Sequence, residues 1–441
     1  MERKIGPFTA TSIVVANIIG AGIFTTTGYV AGMLPNGAWV IGCWIFGGLI
    51  AVSGALCYAE LATRMPEVGG EYVYLKKLYH PALGFLTGWT SLFAGFSAPI
   101  AASALGFAGY MFNGLQNRLP ALSDAEVLFY KKTSAILIIL ALTGVHYLGI
   151  RLGSVVQNLL TGVKIAIVLG LASSGLVLAR WSGSAMTLNG GGSPGSFALG
   201  TAMMLVMFAY SGWNATAYVA GELKDPRRTL PLSLLTGTGI VIVLYLAVNL
   251  FILQAVPYQK LRGMEEVVKQ ASVLAFGSWI GNLLGLLTGL ALLSSLSAYI
   301  ILGPRVYYAM AKDRLFPPLA SRLHPRYGVP GISILIQGVI AVLMVVLGTI
   351  EQIAYYVGFA LGVFPWLAVA GIYVARKNGI GEISAAKVWG YPLVPAFYLL
   401  SSLALMIVAF ANRPFASAVA LATIALGVPC YFLWVKGTRT K

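Results

Sequence analysis

The sequence predicts an all-α membrane protein, a single bundle of about twelve transmembrane helices. Three observations carry this. Hydrophobic residues fill 58% of the 441 positions and charged residues only 10%, with a mean hydropathy of +0.84. A soluble domain carries about 25% charged residues, so lipid must be the solvent for this much apolar surface. The apolar runs reach about 20 residues, the length that crosses the hydrocarbon, and they follow one another with short gaps. Lys and Arg are gathered in the connections, and unevenly between the two sides.

In order, the expected spans are 8–32, 38–61, 83–112, 133–149, 155–179, 197–221, 230–254, 273–310, 331–348, 353–374, 393–411 and 414–435. The eighth is too long for one crossing, and its end is expected to continue as a cytoplasmic helix through Ala311 to Arg314. Of the 29 Lys and Arg residues, twenty fall on the N-terminal side, eight on the other, and Lys164 lies within a span. An even span count and the positive-inside bias together place both termini in the cytoplasm of a plasma (inner) membrane protein. Met1 to Pro7 shows no cleavable signal, because the apolar stretch behind it is too long and runs directly into a second span.

The net charge of +16 raises the question of nucleic acid. The basic residues are dispersed over loops rather than aligned in a stripe, so no nucleic-acid partner is expected. Cys43, Cys57 and Cys430 all lie in apolar runs, where free cysteine behaves as a small buried hydrophobe, and they imply no disulfide framework. The Gly/Ser cluster Asn189 to Ser196 reads as an ordinary short connection before the sixth span.

Two spans are interrupted in matching places. The first holds Gly20-Ala21-Gly22 near its middle, and the sixth holds Tyr210-Ser211-Gly212-Trp213-Asn214. Glycine lowers the cost of unwinding and lets a ligand approach the backbone. In lipid, unwound backbone is tolerated only where it lines a cavity or binds something. Freed N–H groups at the start of a half-helix suit a carboxylate, and freed carbonyls at the end of the preceding half suit an ammonium. A zwitterionic α-amino acid carries both groups on one carbon. The ordinary alternative is that such glycines only permit close helix packing. Their positions, five spans apart, argue for more: two five-helix inverted repeats would each begin there, and paired breaks point to a transporter's midplane site.

At these residues the chain resembles the amino acid–polyamine–organocation superfamily, and within it the L-type amino-acid transporter branch. Four ordered motifs carry the resemblance: Ile18-Ile19-Gly20-Ala21-Gly22-Ile23-Phe24; Gly54 to Leu61 followed by Gly69-Gly70-Glu71-Tyr72; Phe208 to Asn214 followed by Glu222-Leu223-Lys224-Asp225-Pro226 and Leu230-Pro231; and Ala309-Met310-Ala311-Lys312-Asp313. It is good over the first eight spans and faint beyond about residue 330. It implies the LeuT-type fold over a single transporter unit, residues 1–441. Residues 8–179 would form the first inverted repeat, 197–374 the second, and 393–435 two additional helices. It further implies that the backbone of Gly20, Ala21 and Gly22 holds the substrate carboxylate. The carbonyls of Ile18, Phe208 and Ser211 would hold the amino group, with Ala209 and Gly212 in the same stretch and Asn214 as a polar neighbour. Animal members are disulfide-linked to an accessory subunit through the loop between the third and fourth spans. Here Asn113 to Lys132 contains no cysteine, so no covalent partner is expected, as in subunit-free bacterial members.

Lys164 stands about ten residues into its span, some 15 Å along the helix, which is beyond the reach of a snorkelling stem. Insertion scales place its cost at about 2.5–3.5 kcal/mol, which marks a functional candidate. In similar transporters a lysine at this point replaces a structural sodium ion, so the resemblance implies sodium-independent exchange or proton coupling. No Asp or Glu lies at the centre of a span; Glu60, Glu222 and Glu351 sit near span ends, and Glu60 and Glu222 read as interfacial or gate residues. A cationic side chain bound at the midplane would lack a counter-charge, which argues for neutral amino acids. Trp213 adjoins the break in the sixth span and is a gate or pocket-wall candidate as well as a packing residue. Tyr210, just before it, is a second gate candidate. His146 reads as a structural histidine rather than a proton relay.

The function that follows is sodium-independent transport of neutral L-amino acids by alternating access, most simply as exchange. Proton symport and an amino-acid-sensing receptor without net transport remain open alternatives. A channel would need a filter motif. A membrane enzyme would need convergent His, Asp, Glu or Cys at membrane depth. Neither pattern is present, no cofactor or metal is implied, and no GxxxxGK[ST] motif for nucleotide drive occurs.

Overall fold

The computed structural model describes residues 5–116, 122–181, 192–381 and 386–439. The middle of the connection Asn113 to Lys132 and the start of the Asn189–Ser196 cluster lie outside the described residues. All the regular secondary structure described is helical apart from one isolated backbone bridge, Ile5 with Leu223. Among the described residues, eleven helices or broken helices are long and apolar enough to cross a membrane. Gly331–Leu347 is a further apolar helix of 17 residues, the lower limit for a crossing.

The first span is two helices, α1 (Pro7–Ile18) and α2 (Ala21–Met33), separated at Ile19 and Gly20. Next comes α3 (Gly37–Arg64), whose start is fixed by Asn36, its side chain accepting from the Trp39 N–H. A short helix, α4 (Glu71–Leu78), precedes the third crossing, which comprises α5 (Pro81–Thr90), a π-helical segment Ser91–Ser97 and α6 (Ala98–Gln116). Then follow α7 (Asp124–Tyr147), opened by the capping box of Ser123 and Glu126, and α8 (Ile150–Trp181).

The sixth span is also broken. Helix α9 (Ser196–Tyr210) ends at Ser211, and the chain resumes as a 3₁₀ segment, Ala215–Glu222. Beyond it lie α10 (Pro226–Ala255), the short α11 (Tyr258–Leu261) and α12 (Val267–Phe276), then α13 (Ser278–Lys312). The last four are α14 (Gly331–Leu347), α15 (Ile350–Lys377), α16 (Leu393–Asn412) and α17 (Pro414–Arg439).

Two expectations need correction. The apolar run 273–310 is not one helix. Gly277, with φ of +86°, turns the chain between α12 and α13, so the crossing begins at Ser278. Two apolar helices joined by one glycine leave no dip in hydropathy to mark the turn. Glu60, expected as an interfacial or gate residue, is not exposed. Its side chain is fully buried, and its carboxylate is held by Arg376 (3.0 and 2.6 Å), by Arg64 (3.0 Å) and by the Val388 N–H (2.9 Å). A buried carboxylate persists only when paired and hydrogen-bonded in this way, and the cluster ties α3 to α15 and to the segment leading into α16.

Candidate functional site

The two breaks face each other. Gly212 adopts φ of +96°, a conformation that favours glycine, and a Cβ there would stand 2.7 Å from Asn17 Nδ2 and 3.0 Å from the Asn17 carbonyl. Asn17 lies one residue before the end of α1, and its Nδ2 donates to the Gly212 carbonyl at 3.4 Å. Its Oδ1 is buried without a partner, and the residue lines a cavity. The interrupted stretches are thus pressed together by one glycine of positive φ.

Each break exposes backbone groups of the expected polarity. Gly20 is extended, and the N–H groups of the first turn of α2 have no intrahelical partner. On the carbonyl side several oxygens are already engaged. The Tyr245 hydroxyl, from α10, donates to the Ile18 carbonyl at 2.7 Å and lies 3.1 Å from the Ala209 carbonyl, bridging the first and sixth spans. The Phe208 carbonyl accepts from the N–H and the hydroxyl of Ser211, at 3.1 and 2.7 Å. The Tyr299 hydroxyl, from α13, donates to the Asn17 carbonyl at 3.3 Å. Tyr245 and Tyr299 were missed in the sequence, where a mid-span tyrosine looks like any packing aromatic.

Lys164 is wholly buried, and its ammonium donates to the carbonyls of Ala16 (2.8 Å) and Ile19 (2.7 Å) and to Ser295 Oγ of α13 (2.8 Å). An ammonium has three donors, and all three are used. Ser295 in turn donates to the Ile19 carbonyl at 2.9 Å. A positive charge therefore joins α8, the end of α1 and α13 at the point where the first span unwinds.

Two cavities meet at the breaks. The smaller, about 10 Å³, is lined by Ile18, Gly20, Ala21, Gly22, Phe208, Ala209, Ser211 and Tyr299, with Pro99 and Ser103. It has room for about one water. The larger, about 100 Å³, shares Pro99, Phe208, Ser211 and Tyr299 and extends past Asn17, Gly212, Trp213 and Asn214 to apolar walls on α9, α15 and α16. The π-helical segment supplies Gly95 and Phe96 to this cavity; π-bulges recur at functional sites, and nothing in Ser91–Ser97 announces one. All the expected site residues except Lys164 and Tyr210 line one or both cavities.

Tyr210 turns away. It is fully buried, packs edge-on against Trp44 and tilted against Tyr245, and donates to the Trp44 carbonyl at 3.0 Å, with Gly47 and Gly48 making space for its ring. Trp213 does form a cavity wall, its ring edge-on to Tyr58 at 4.7 Å and seated over Gly54, where a Cβ would lie 2.8 Å away. Gly54→Leu should therefore displace Trp213. Near-ultraviolet circular dichroism of the tryptophans should report its loss of fixed packing.

One charged residue in the cavity wall was not anticipated as such. Glu71, at the start of α4, is 4% exposed and accepts from Asn214 Nδ2 at 2.5 Å. Burial raises its carboxyl from the ordinary 4.5 to about 7, against the opposing effects of Tyr58, Asn214 and Tyr218. The expectation that a cationic side chain would lack a counter-charge rested on residues inside spans, and it needs correction: Glu71 reaches the cavity from a connection. His146 is buried with Nε2 2.7 Å from Ser297 Oγ, far in sequence from either break. Among the described residues no group of three or more His, Cys, Asp or Glu could hold a metal.

A bundle of apolar spans with two facing breaks at an internal cavity defines a membrane transporter. The chain belongs to the amino acid permease family, which it matches over residues 5–432, and so to the amino acid–polyamine–organocation superfamily. It is 28% identical to the serine/threonine exchanger SteT of Bacillus subtilis, over 91% of this chain and 90% of that protein. It is also 28% identical to the human large neutral amino acids transporter small subunit 2, over 99% of this chain and 81% of the relative. With the human b(0,+)-type amino acid transporter 1 the identity is 29%, over 85% and 76%. These are transporters, not enzymes.

Proposed function

We propose that this protein is a sodium-independent exchanger of neutral L-amino acids, working by alternating access in the plasma membrane with both termini cytoplasmic. The observation that carries the reading is the Lys164 ammonium, bonded to Ala16, Ile19 and Ser295. It supplies a fixed cation where the unwound first span meets α13, so no dissolved cation is needed to hold that junction. The free N–H groups at the start of α2 would take the substrate carboxylate, with Gly20, Ala21 and Gly22 around it. The carbonyl ends near Ile18, Phe208 and Ser211 would take the amino group, and the side chain would enter the larger cavity.

The walls of that cavity are apolar at Phe96, Met204, Met207, Leu361 and Met406, and its carboxylate, Glu71, is engaged by Asn214, which favours an uncharged substrate. The names of two of the three relatives point the same way, serine and threonine in one and large neutral amino acids in the other. No disulfide-linked accessory subunit is proposed, since Asn113 to Lys132 lacks cysteine. The small cavity is too tight for an amino acid as it stands. Loading therefore requires the two halves of at least one broken span to part, which is the motion alternating access needs.

The test is uptake of radiolabelled serine and leucine into proteoliposomes, with and without the same amino acid inside. Uptake should rise at least severalfold with internal amino acid and stay unchanged when sodium is replaced by choline. A steep sodium requirement overturns the reading. Proton symport is the second reading, favoured by the buried Glu71 in the cavity wall; accumulation driven by an inward proton gradient into vesicles empty of amino acid would select it. Orientation is tested by cysteines placed at Arg227 and Arg322, which should resist an impermeant thiol reagent outside cells, while one at Asp124 should react.

A further inference from the structure

Glu71 belongs to a turn that docks the second half of the sixth span along its whole length. At the break, the Glu71 carboxylate binds Asn214, the residue that precedes the 3₁₀ segment. One turn on, the Gly69 N–H donates to the Tyr218 carbonyl at 3.1 Å. Gly70, with φ of +54°, lies so close to the Tyr218 ring that a Cβ would be 2.8 Å from it. Near the segment's end, a Cβ on Gly221 would be 2.8 Å from Val68. The far side of α4 is anchored to the chain after α13, where the Tyr72 hydroxyl and the Lys76 ammonium both bind Asp313.

The groups acting on the Glu71 carboxylate are all neutral: Tyr58 of α3, and Asn214 and Tyr218 of the sixth span. Tyr74 on the same helix and Tyr398 of α16 also feel its charge, and Glu67 acts on Tyr74. No lysine or arginine compensates it among the described residues, and Lys76 is committed to Asp313. A charge buried without a cation is costly, whereas the same carboxylate in water is not.

We propose that Glu71 is a positioning residue of the transport cycle: docked, it holds Asn214 and the second half of the sixth span against turn 67–71, and it gives up a proton as that half-helix lifts away. The proposal rests on the transporter reading of the same site. In the step, the carboxyl O–H bond breaks, the proton passes to water entering the seam, and the carboxylate left behind is hydrated. The sign follows from linkage. The docked carboxyl titrates at about 7 and the released one near its ordinary 4.5, so the docked form binds the proton more tightly. Docking is then favoured fully below 4.5, weakens as pH rises from 4.5 to 7, and is flat above. Between pH 8 and pH 6 the docked-to-lifted ratio should rise about tenfold.

Two measurements test this. Glu71→Gln keeps the acceptor for Asn214 but has no proton to release. The first measurement is serine and leucine exchange in proteoliposomes with equal pH on both sides. In the unmodified protein the rate should fall by up to about tenfold from pH 8 to pH 6. In Glu71→Gln it should be flat at the acid rate, and Glu71→Asp should restore the dependence. The second needs no transport. With Cys43, Cys57 and Cys430 replaced by alanine, Val68→Cys places a thiol in the seam, and its alkylation in detergent is compared with and without Glu71→Gln at each pH. The variant should slow alkylation at pH 8 and much less at pH 6. Equal alkylation with and without the substitution at both pH values overturns the proposal, as does a Glu71→Gln exchange profile that still follows the unmodified one. If alkylation responds as expected but no exchange occurs at any pH, the docking stands and the transporter reading falls.

Discussion

Lys164→Ala should reduce amino-acid exchange by a hundredfold or more. The substitution removes a buried ammonium and its three hydrogen bonds. The carbonyls of Ala16 and Ile19 and the hydroxyl of Ser295 lose bonds of 2.8, 2.7 and 2.8 Å. Hydrogen bonds to a charged group contribute about 1.5–3 kcal/mol each, and an unsatisfied buried group costs about 1–3 kcal/mol. The Ile19 carbonyl and the Ser295 hydroxyl still keep each other, at 2.9 Å. The loss therefore concentrates at the end of α1, where the backbone has already given up its helical bonds. Loosening that end moves the N–H groups at the start of α2 out of register with the carbonyl ends of α9. Substrate affinity should fall together with rate, while the other spans, which make no contact through Lys164, keep the protein inserted and monodisperse in detergent. Equilibrium binding of labelled serine or leucine beside proteoliposome exchange measures both. Unchanged affinity and rate would show that the ammonium is only filling space.

The fold was legible where it depended on hydropathy, and opaque where it depended on a single backbone angle or on tertiary burial. Apolar runs located nearly every crossing within a few residues. The run 273–310 failed because Gly277 turns the chain between two apolar helices without changing the average around it. The breaks at Gly20 and Gly212 were visible because glycine in a span is itself a signal. Tyr245 and Tyr299 were not, since nothing in the sequence says that their hydroxyls reach the carbonyls of Ile18 and Asn17. Glu60 was misjudged, and Glu71 passed over, for one shared reason. A charge outside the core of a span reads as solvated, and only the packing of α3 against α15, or of α4 beneath the sixth span, removes the water. The carboxylate at the cavity came from the one kind of position, a short connection, that hydropathy assigns to solvent.

The glycines of the first break, alike in sequence, should separate cleanly when substituted. A Cβ on Gly22 would lie 2.4 Å from the Ala209 Cα and 2.5 Å from its Cβ, so α2 and α9 touch backbone to backbone there. Neither partner is a flexible side chain that could swing aside, and overpacking of this kind costs about 1–3 kcal/mol even for a single methyl. Gly22→Ala should thus lower the melting temperature of the detergent-solubilised protein by several degrees, with loss of binding as a consequence. A Cβ on Gly20 meets nothing closer than 3.8 Å, the Ile18 carbonyl and Ser295 Oγ, and its φ of −126° suits any residue. Gly20→Ala should leave the melting temperature unchanged while filling part of a cavity of about 10 Å³ that it shares with Ala21, Phe208 and Ser211. Weakened serine or leucine binding in that well-folded variant locates the carboxylate site at the start of α2. Gly20→Leu should abolish binding altogether. If Gly20→Ala and Gly20→Leu both bind as the unmodified protein does, the substrate sits elsewhere, and the break in the first span serves only to let α2 pack against α9.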